Sequence, residues 1–360
     1  MILPNEHLLN VRRVKENMGE RTEYVRLDRN ERVEPVSQAV FQDMLTTLEP
    51  EMFCAYPDPT PLYQRLSKTL NVPEEYLYLT NGSDAAIRML FQTFVRPGDS
   101  IIFPDPTYAM YAIYSQIFQA QARTIPYEET MKFDIDLMLE YLMEKPRILA
   151  IANPDQPTGS TLSESIIRKL AAAARDVNTL FVVDEAYFPF YPRTVVDLVH
   201  EFDNIVITRT FSKVGGLAGL RLGYFAAHPE IVHNVHRIRG AHEVNEMSIA
   251  IGNYVLDHPE LTEQYLADVE AGRNVLEEAA LDLGLGFPEC PANFQLIRFT
   301  GMNNTQEIVA SLKQQGYLVK GGFSSPAVQD CIRITLGGPD VMIGFVDALR
   351  CVTKDLWRKP

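Results

Sequence analysis

The chain is poor in cysteine and has no long apolar run. Its four cysteines, Cys54, Cys290, Cys331 and Cys351, include no C-x-x-C pair. A chain of 360 residues is also too long for a scaffold held by dense disulfides. Reduced thiols in a cytoplasmic protein are the expectation. No apolar stretch approaches the roughly 20 residues that a membrane-spanning helix needs. The N-terminal Met1-Ile2-Leu3-Pro4-Asn5-Glu6-His7 lacks the basic-then-apolar order of a secretion signal. Positive charge is also scarce: 33 Lys and Arg stand against 47 Asp and Glu, a net charge of −14. That balance argues against a broad nucleic-acid surface and against an anionic membrane surface. It leaves room for a local cluster of donors around a phosphorylated small molecule. Gly215-Gly216 is no dinucleotide fingerprint, because no G-x-G-x-x-G follows a strand. His228, His233, His236 and His242 cluster without the carboxylate or cysteine pattern of a zinc site.

From about residue 76 to residue 228, short apolar runs alternate with helix-like stretches. Strands are expected at 76–79, 100–103, 147–152, 179–184, 204–209 and 222–227, and helices at 83–94 and 163–175. This alternation predicts an α/β fold: a large domain with a mostly parallel sheet sandwiched by helices. After about residue 244 the pattern changes. A long helical stretch at 259–283 precedes a β-α-β-β-α order, which suits a smaller α+β domain. The expected division is 49–245 for the large domain, with 1–48 and 246–360 forming the small one. Ligands of such sheets collect at the carboxyl ends of strands. The turn at 153–159, Asp184 and Lys213 all fall there.

Lys213 stands in Thr210-Phe211-Ser212-Lys213, eight positions before Arg221 in Arg221-Leu222-Gly223-Tyr224. An amine beside hydroxyls and a guanidinium is what an aldehyde cofactor bearing a phosphate requires. The amine forms a Schiff base, and the hydroxyls of Thr210 and Ser212 hold the phosphate with Arg221. Asp184 ends the apolar run 179–183 and opens Asp184-Glu185-Ala186-Tyr187. Alone it reads equally as the cap of a following turn. With Lys213 and Arg221 downstream it reads as the partner of a pyridinium nitrogen, with Tyr187 on the ring oxygen. These residues point to pyridoxal phosphate.

Gly82-Ser83-Asp84 lies between an expected strand and helix, where unpaired N–H groups and the helix dipole favour an anion. Tyr108 follows a strand and can stack on the pyridine ring. The turn Asn153-Pro154-Asp155-Gln156-Pro157-Thr158-Gly159 offers a side-chain amide to the ring oxygen. Arg333 stands in the apolar strand Cys331-Ile332-Arg333-Ile334-Thr335. A buried arginine needs a partner, and either a substrate carboxylate or an internal acid would serve.

Together these motifs resemble the fold-type I pyridoxal-phosphate-dependent aminotransferases, most closely the histidinol-phosphate aminotransferase group. The likeness also runs through Leu27-Asp28-Arg29-Asn30-Glu31, Tyr56-Pro57-Asp58-Pro59, Pro106-Thr107-Tyr108-Ala109-Met110-Tyr111 and Ala292-Asn293-Phe294. The resemblance implies a homodimer in which Tyr56 reaches the partner's cofactor phosphate. It implies Arg333 on a substrate carboxylate and Asn30 near the mouth of the site. Two positions depart from the family pattern. Gln156 stands where the family usually has asparagine before Pro-Thr-Gly. Lys320 stands where the histidinol-phosphate enzymes usually have a phosphate-binding arginine, so the expected substrate-phosphate contact is a point charge and not a fork.

The expected activity is transfer of an amino group between an amino acid and a small, optionally phosphorylated, oxo compound. A decarboxylase of serine or threonine phosphate would use the same residues. A cofactor-sensing regulator would need an added DNA-binding domain, for which this acidic chain has no residues left.

Overall fold

The computed structural model describes residues 2–11, 19–302 and 304–357. Met1, residues 12–18, residue 303 and residues 358–360 of the segments expected to form the small domain lie outside the described residues. In chain order the first elements are β1 (Val25–Leu27), α1 (Gln38–Leu45), α2 (Thr60–Leu70), β2 (Leu77–Thr80), α3 (Ser83–Phe94), β3 (Ser100–Asp105), α4 (Met110–Ile117), β4 (Gln121–Pro126), α5 (Ile135–Leu142), β5 (Ile148–Ala152) and α6 (Glu164–Asp176). They continue through β6 (Leu180–Asp184), β7 (Ile205–Thr210), β8 (Gly223–Ala227), α7 (Pro229–His236), α8 (Glu246–Asp257), α9 (Pro259–Asp282), β9 (Phe294–Arg298), α10 (Gln306–Gln314), β10 (Tyr317–Val319), β11 (Cys331–Thr335) and α11 (Pro339–Trp357).

Strands β2 to β8 form one sheet of seven strands, in the order β2-β8-β7-β6-β5-β3-β4. Strand β8 runs antiparallel to both β2 and β7, and the remaining pairs are parallel. Every residue of β5, β6 and β7 is buried, because helices cover both faces. Alternate side chains enter different layers. Leu149 and Ile151 join the core beneath α2, α5 and α6. Ile148 and Ala150 join the one beneath α3, α4 and α7. Each residue on a strand thus faces the layer dictated by its parity.

A separate core gathers α9, α10, α11 and the short strands. There β9 pairs antiparallel with β11, and β1 pairs parallel with β10. A backbone bridge between Lys320 and Arg333 joins β10 to β11.

The expected strands and helices of the sheet appear within two residues of their predicted ends, the largest difference being β3, which runs on to Asp105. The edge strand β4 was not expected: five of its six residues are exposed and it carries no apolar run. The N-terminal segment does not pack on the small core alone. Its strand β1 does, but the turn at Glu6–Asn10 lies against α4, and Met44 of α1 is buried with Tyr254 and Val255 of α8. Helix α8 itself, expected beyond the boundary at 245, puts Ile249 into the sheet-side core. The change in packing falls after α8. Among the described residues no helix is long and apolar enough to cross a membrane, and no group of three or more His, Cys, Asp or Glu is placed to hold a metal ion.

Candidate active site

The carboxyl ends of β3, β5, β6 and β7 open into a cleft of about 570 Å³. Lys213 enters it from the turn after β7, and Arg221 from the residue pair before β8. Because β8 is reversed, its start lies beside the end of β2. Gly223 is pressed so closely onto the start of α3 that a Cβ there would stand 2.6 Å from the Gly82 carbonyl carbon and 2.7 Å from the Ser83 nitrogen. Gly82 has φ +81°, and a Cβ on it would meet the Arg221 Nη2 at 2.7 Å. The Arg221 guanidinium therefore lies over the N-terminus of α3, where backbone N–H groups have no helical partner. Its Nη1 donates to Ser212 Oγ at 3.3 Å, and the Thr210 hydroxyl donates to the same oxygen at 2.9 Å. Arg221 has no carboxylate within ion-pair reach among the described residues. Ser83, Thr210, Ser212 and Arg221 all line the cleft, forming a cradle suited to a dianionic phosphate.

Asp184 is 4% exposed. Its Oδ1 accepts from the Thr208 hydroxyl at 2.8 Å and from the Ala186 N–H at 3.1 Å. Both hydrogen bonds fall on one oxygen, leaving Oδ2 for a group in the cleft. Burial raises this carboxyl to about 6, against the pull of Thr208 and Ala186. Lys213 Nζ donates to the Arg29 carbonyl at 3.1 Å. Burial lowers this amine to about 8, and the positive charges of Arg333 and Arg221 add to the effect. Tyr187 is buried, and its hydroxyl accepts from Asn30 Nδ2 at 2.8 Å. Desolvation raises its pKa, so the hydroxyl keeps its proton and can donate it into the cleft.

Arg333 is 6% exposed. It donates through Nη2 to the Asp28 carbonyl at 2.7 Å, and its Nε is buried with no hydrogen-bond partner. It has no carboxylate partner among the described residues, so the internal-acid alternative does not hold. Lys320 is exposed on the same wall. Tyr108 lines the opposite wall, its hydroxyl donating to Asp84 Oδ1 at 3.3 Å. Gln156 lines the cleft as well.

Of the expected site residues, Gly82 stands just behind Ser83 and does not line the cleft, and Tyr56 and Asn30 lie away from it in this chain. Tyr56 is 84% exposed and stacks on His242, with ring centroids 4.4 Å apart. Asn30 is not at the mouth. It is 1% exposed, has φ 56°, and lies behind Tyr187. There the Asn30 N–H donates to Thr335 Oγ1, and its carbonyl accepts from Asn293. The reason is steric and polar: the left-handed turn points its amide inward at the tyrosine, and three buried partners hold it. Sequence reading missed Thr208, which is paired with Asp184 in the β6–β7 register and so faces the same way. It also missed the individual role of Asp155, which accepts from Thr107, Tyr127 and the Gln156 N–H.

A phosphate cradle at a helix N-terminus, an uncommitted buried carboxylate oxygen, and a lysine with lowered pKa between them fit pyridoxal phosphate. The fold and cleft define the class: a fold-type I pyridoxal-phosphate-dependent transferase. Comparison with known proteins identifies the family. The model for aminotransferase class I and II matches residues 23–346. A histidinol-phosphate aminotransferase from Symbiobacterium thermophilum is 35% identical over 303 residues, covering 82% of this chain and 81% of that one. Another, from Caldanaerobacter subterraneus subsp. tengcongensis, is 31% identical over 298 residues, 82% of this chain and 83% of its own. The crystal structure of a histidinol-phosphate aminotransferase from Sinorhizobium meliloti in complex with pyridoxal-5'-phosphate has the same fold, with a TM-score of 0.89, 23% identity and 98% of both chains covered. The chain belongs to the class I and II aminotransferases, and it is a pyridoxal-phosphate-dependent aminotransferase of the histidinol-phosphate aminotransferase kind.

Proposed function

We propose that the enzyme moves an amino group between an amino acid and a small phosphorylated amine/oxo pair, with histidinol phosphate as the type of the amine. The observation that carries this reading is the convergence of Lys213, Asp184, Arg221 and Arg333 on one cleft. When bound, pyridoxal phosphate supplies the electron sink for the bond broken at the substrate Cα. Ser83, Thr210, Ser212 and Arg221 bind its phosphate. Asp184 holds a proton on its ring nitrogen. Tyr187 and the Gln156 amide donate to its ring oxygen, and Tyr108 covers one ring face. Lys213 would hold the cofactor by its aldehyde carbon, and its amine, when free and neutral, would be the base for the proton on the substrate Cα. Its lowered pKa leaves a useful neutral fraction at neutral to mildly alkaline pH. Arg333 takes the carboxylate of the amino acid, and Lys320 takes the phosphate of the other substrate.

In this reading the working unit is a homodimer in the cytoplasm. The exposed Tyr56 reaches the partner's cofactor phosphate, which explains a large aromatic residue 84% exposed on a chain of this charge. The test is a panel of amino donors with and without phosphate, added to the protein loaded with cofactor. The expected result is conversion of the cofactor to its amine form, fastest with the phosphorylated amine, and borohydride tagging of Lys213 before substrate is added. Release of carbon dioxide with no amine-form cofactor would replace transamination with decarboxylation.

A further inference from the structure

We propose that Asp155 is a positioning residue that clamps together two walls of the cofactor slot, the Thr107–Tyr108 wall and the Gln156 wall. The inference rests on the reading that this slot holds pyridoxal phosphate. Asp155 is 1% exposed. Its Oδ1 accepts from the Thr107 hydroxyl at 2.6 Å and from the Gln156 N–H at 2.7 Å, and its Oδ2 accepts from the Tyr127 hydroxyl at 2.8 Å. Three donors from three segments thus meet on one side chain that, when ionised, only accepts. Each segment carries something the slot needs. Thr107 precedes Tyr108, whose far end is tied to Asp84. The Gln156 N–H fixes the root of the amide side chain that lines the cleft. Tyr127 packs edge-on against Phe133 at 5.1 Å and shares a buried cluster with Leu296 and Cys331 of β9 and β11, so the clamp is anchored outside the slot. The loop is closed on itself by Asp155 N–H to the Ser160 carbonyl and Gly159 N–H to the Asp155 carbonyl, both at 2.8 Å.

Nothing touches Asp155 from the cleft, so it acts through its neighbours. Burial raises its carboxyl to about 7 against the pull of its three donors, and the charge of Asp184 adds a smaller upward push. The Tyr111 hydroxyl is buried without a hydrogen-bond partner and feels the charges of both acids. The two carboxylates therefore share one poorly solvated region behind the slot.

Asp155→Ala removes all three acceptors. Asp155→Asn keeps an oxygen for Thr107 and Gln156 while the Tyr127 hydroxyl turns to accept from the amide. In the cofactor-free protein, Asp155→Ala loses amide-exchange protection over 153–160 and Asp155→Asn keeps it. With cofactor, Asp155→Ala weakens pyridoxal phosphate binding by about 10–100-fold, the scale of a misplacement of about 1 Å. It also diminishes the visible circular dichroism of the bound cofactor and lowers kcat, while the KM for the amino acid is held by Arg333. Asp155→Asn restores all of these. Thr107→Val removes one donor and shows a smaller loss in the same direction, and it decides the matter if Asp155→Ala does not fold. Wild-type exchange, affinity and dichroism in Asp155→Ala (or in Thr107→Val if Asp155→Ala fails to fold), or an Asp155→Asn as impaired as Asp155→Ala, would overturn the clamp. Failure of the wild type to take up pyridoxal phosphate would instead overturn the reading of the slot, with the exchange measurement still deciding the clamp.

Discussion

Arg209 and Arg333 are both buried in β-strands, 5% and 6% exposed, and they are provided for in opposite ways. Arg209 sits behind the sheet. Its Nη2 lies 2.7 Å from Glu185 Oε2, its Nε 3.0 Å from the same oxygen, and its guanidinium 3.8 Å from the centre of the Phe188 ring. Glu185 is filled in turn by the Thr194 hydroxyl and the Val195 N–H. Arg333 faces the cleft with a backbone carbonyl, a distant ring and an unpaired Nε. The adjacent acids of β6 and the turn after it divide in the same way: Glu185 is saturated from within, and Asp184 keeps an oxygen free. A buried charge completed by the protein serves the fold. One left incomplete is completed by what the protein binds.

The largest test of this contrast is Lys213→Ala. We expect turnover to fall by at least about 10⁴-fold with no loss of midpoint in urea unfolding. On the saturated side, Glu185→Gln strands a buried guanidinium. It should cost about 3–5 kcal/mol of stability in the same unfolding assay, with kcat per folded molecule retained. If Glu185→Gln instead removed activity at unchanged stability, the division between the two faces would fail. Arg333→Gln should raise the KM for the amino acid by about 100-fold, as expected for a desolvated charge pair, with cofactor affinity held. It also bears on pH. Cofactor uptake by the free protein requires the neutral amine, so its rate should climb as pH rises through about 8. Loss of the Arg333 charge, the largest contributor after burial, should move that midpoint upward toward the ordinary lysine value. Stopped-flow absorbance across pH reads both. The smallest effect belongs to the exposed Lys320: Lys320→Ala should reduce the preference for phosphorylated over unphosphorylated substrate by about 2–5-fold, measured as a ratio of kcat/KM values.

Much of this was legible in the residues. Apolar runs such as Leu180–Asp184 mark strands buried on both faces, and the polar residues that end them mark the cleft, so the sequence alone points to Asp184, Lys213 and Arg221. What stayed hidden depends on side-chain direction or on contacts across the chain. The inward turn of Asn30 follows from a left-handed backbone and from partners about 150 to 300 residues away. Strand β4 is mostly exposed and has no apolar signature. Asp155 looked like one more loop residue because its three donors come from separate segments. Arg209 and Arg333 each stand in a fully buried strand, and nothing next to either in the sequence says that only Arg209 meets an internal acid, because Glu185 reaches it from a neighbouring strand end.

The one reversed strand of the large sheet has a consequence for how the pocket can change. Because β8 doubles back beside β7, the amine and the guanidinium hang from a single hairpin, and its return stroke is wedged against the helix that receives the phosphate. Lengthening that hairpin would move both groups at once, and no helix crossover stands between them to absorb the slack. Chemical novelty in this scaffold is therefore easier to reach from the opposite wall, where β10 and β11 are joined by little more than one pair of backbone hydrogen bonds.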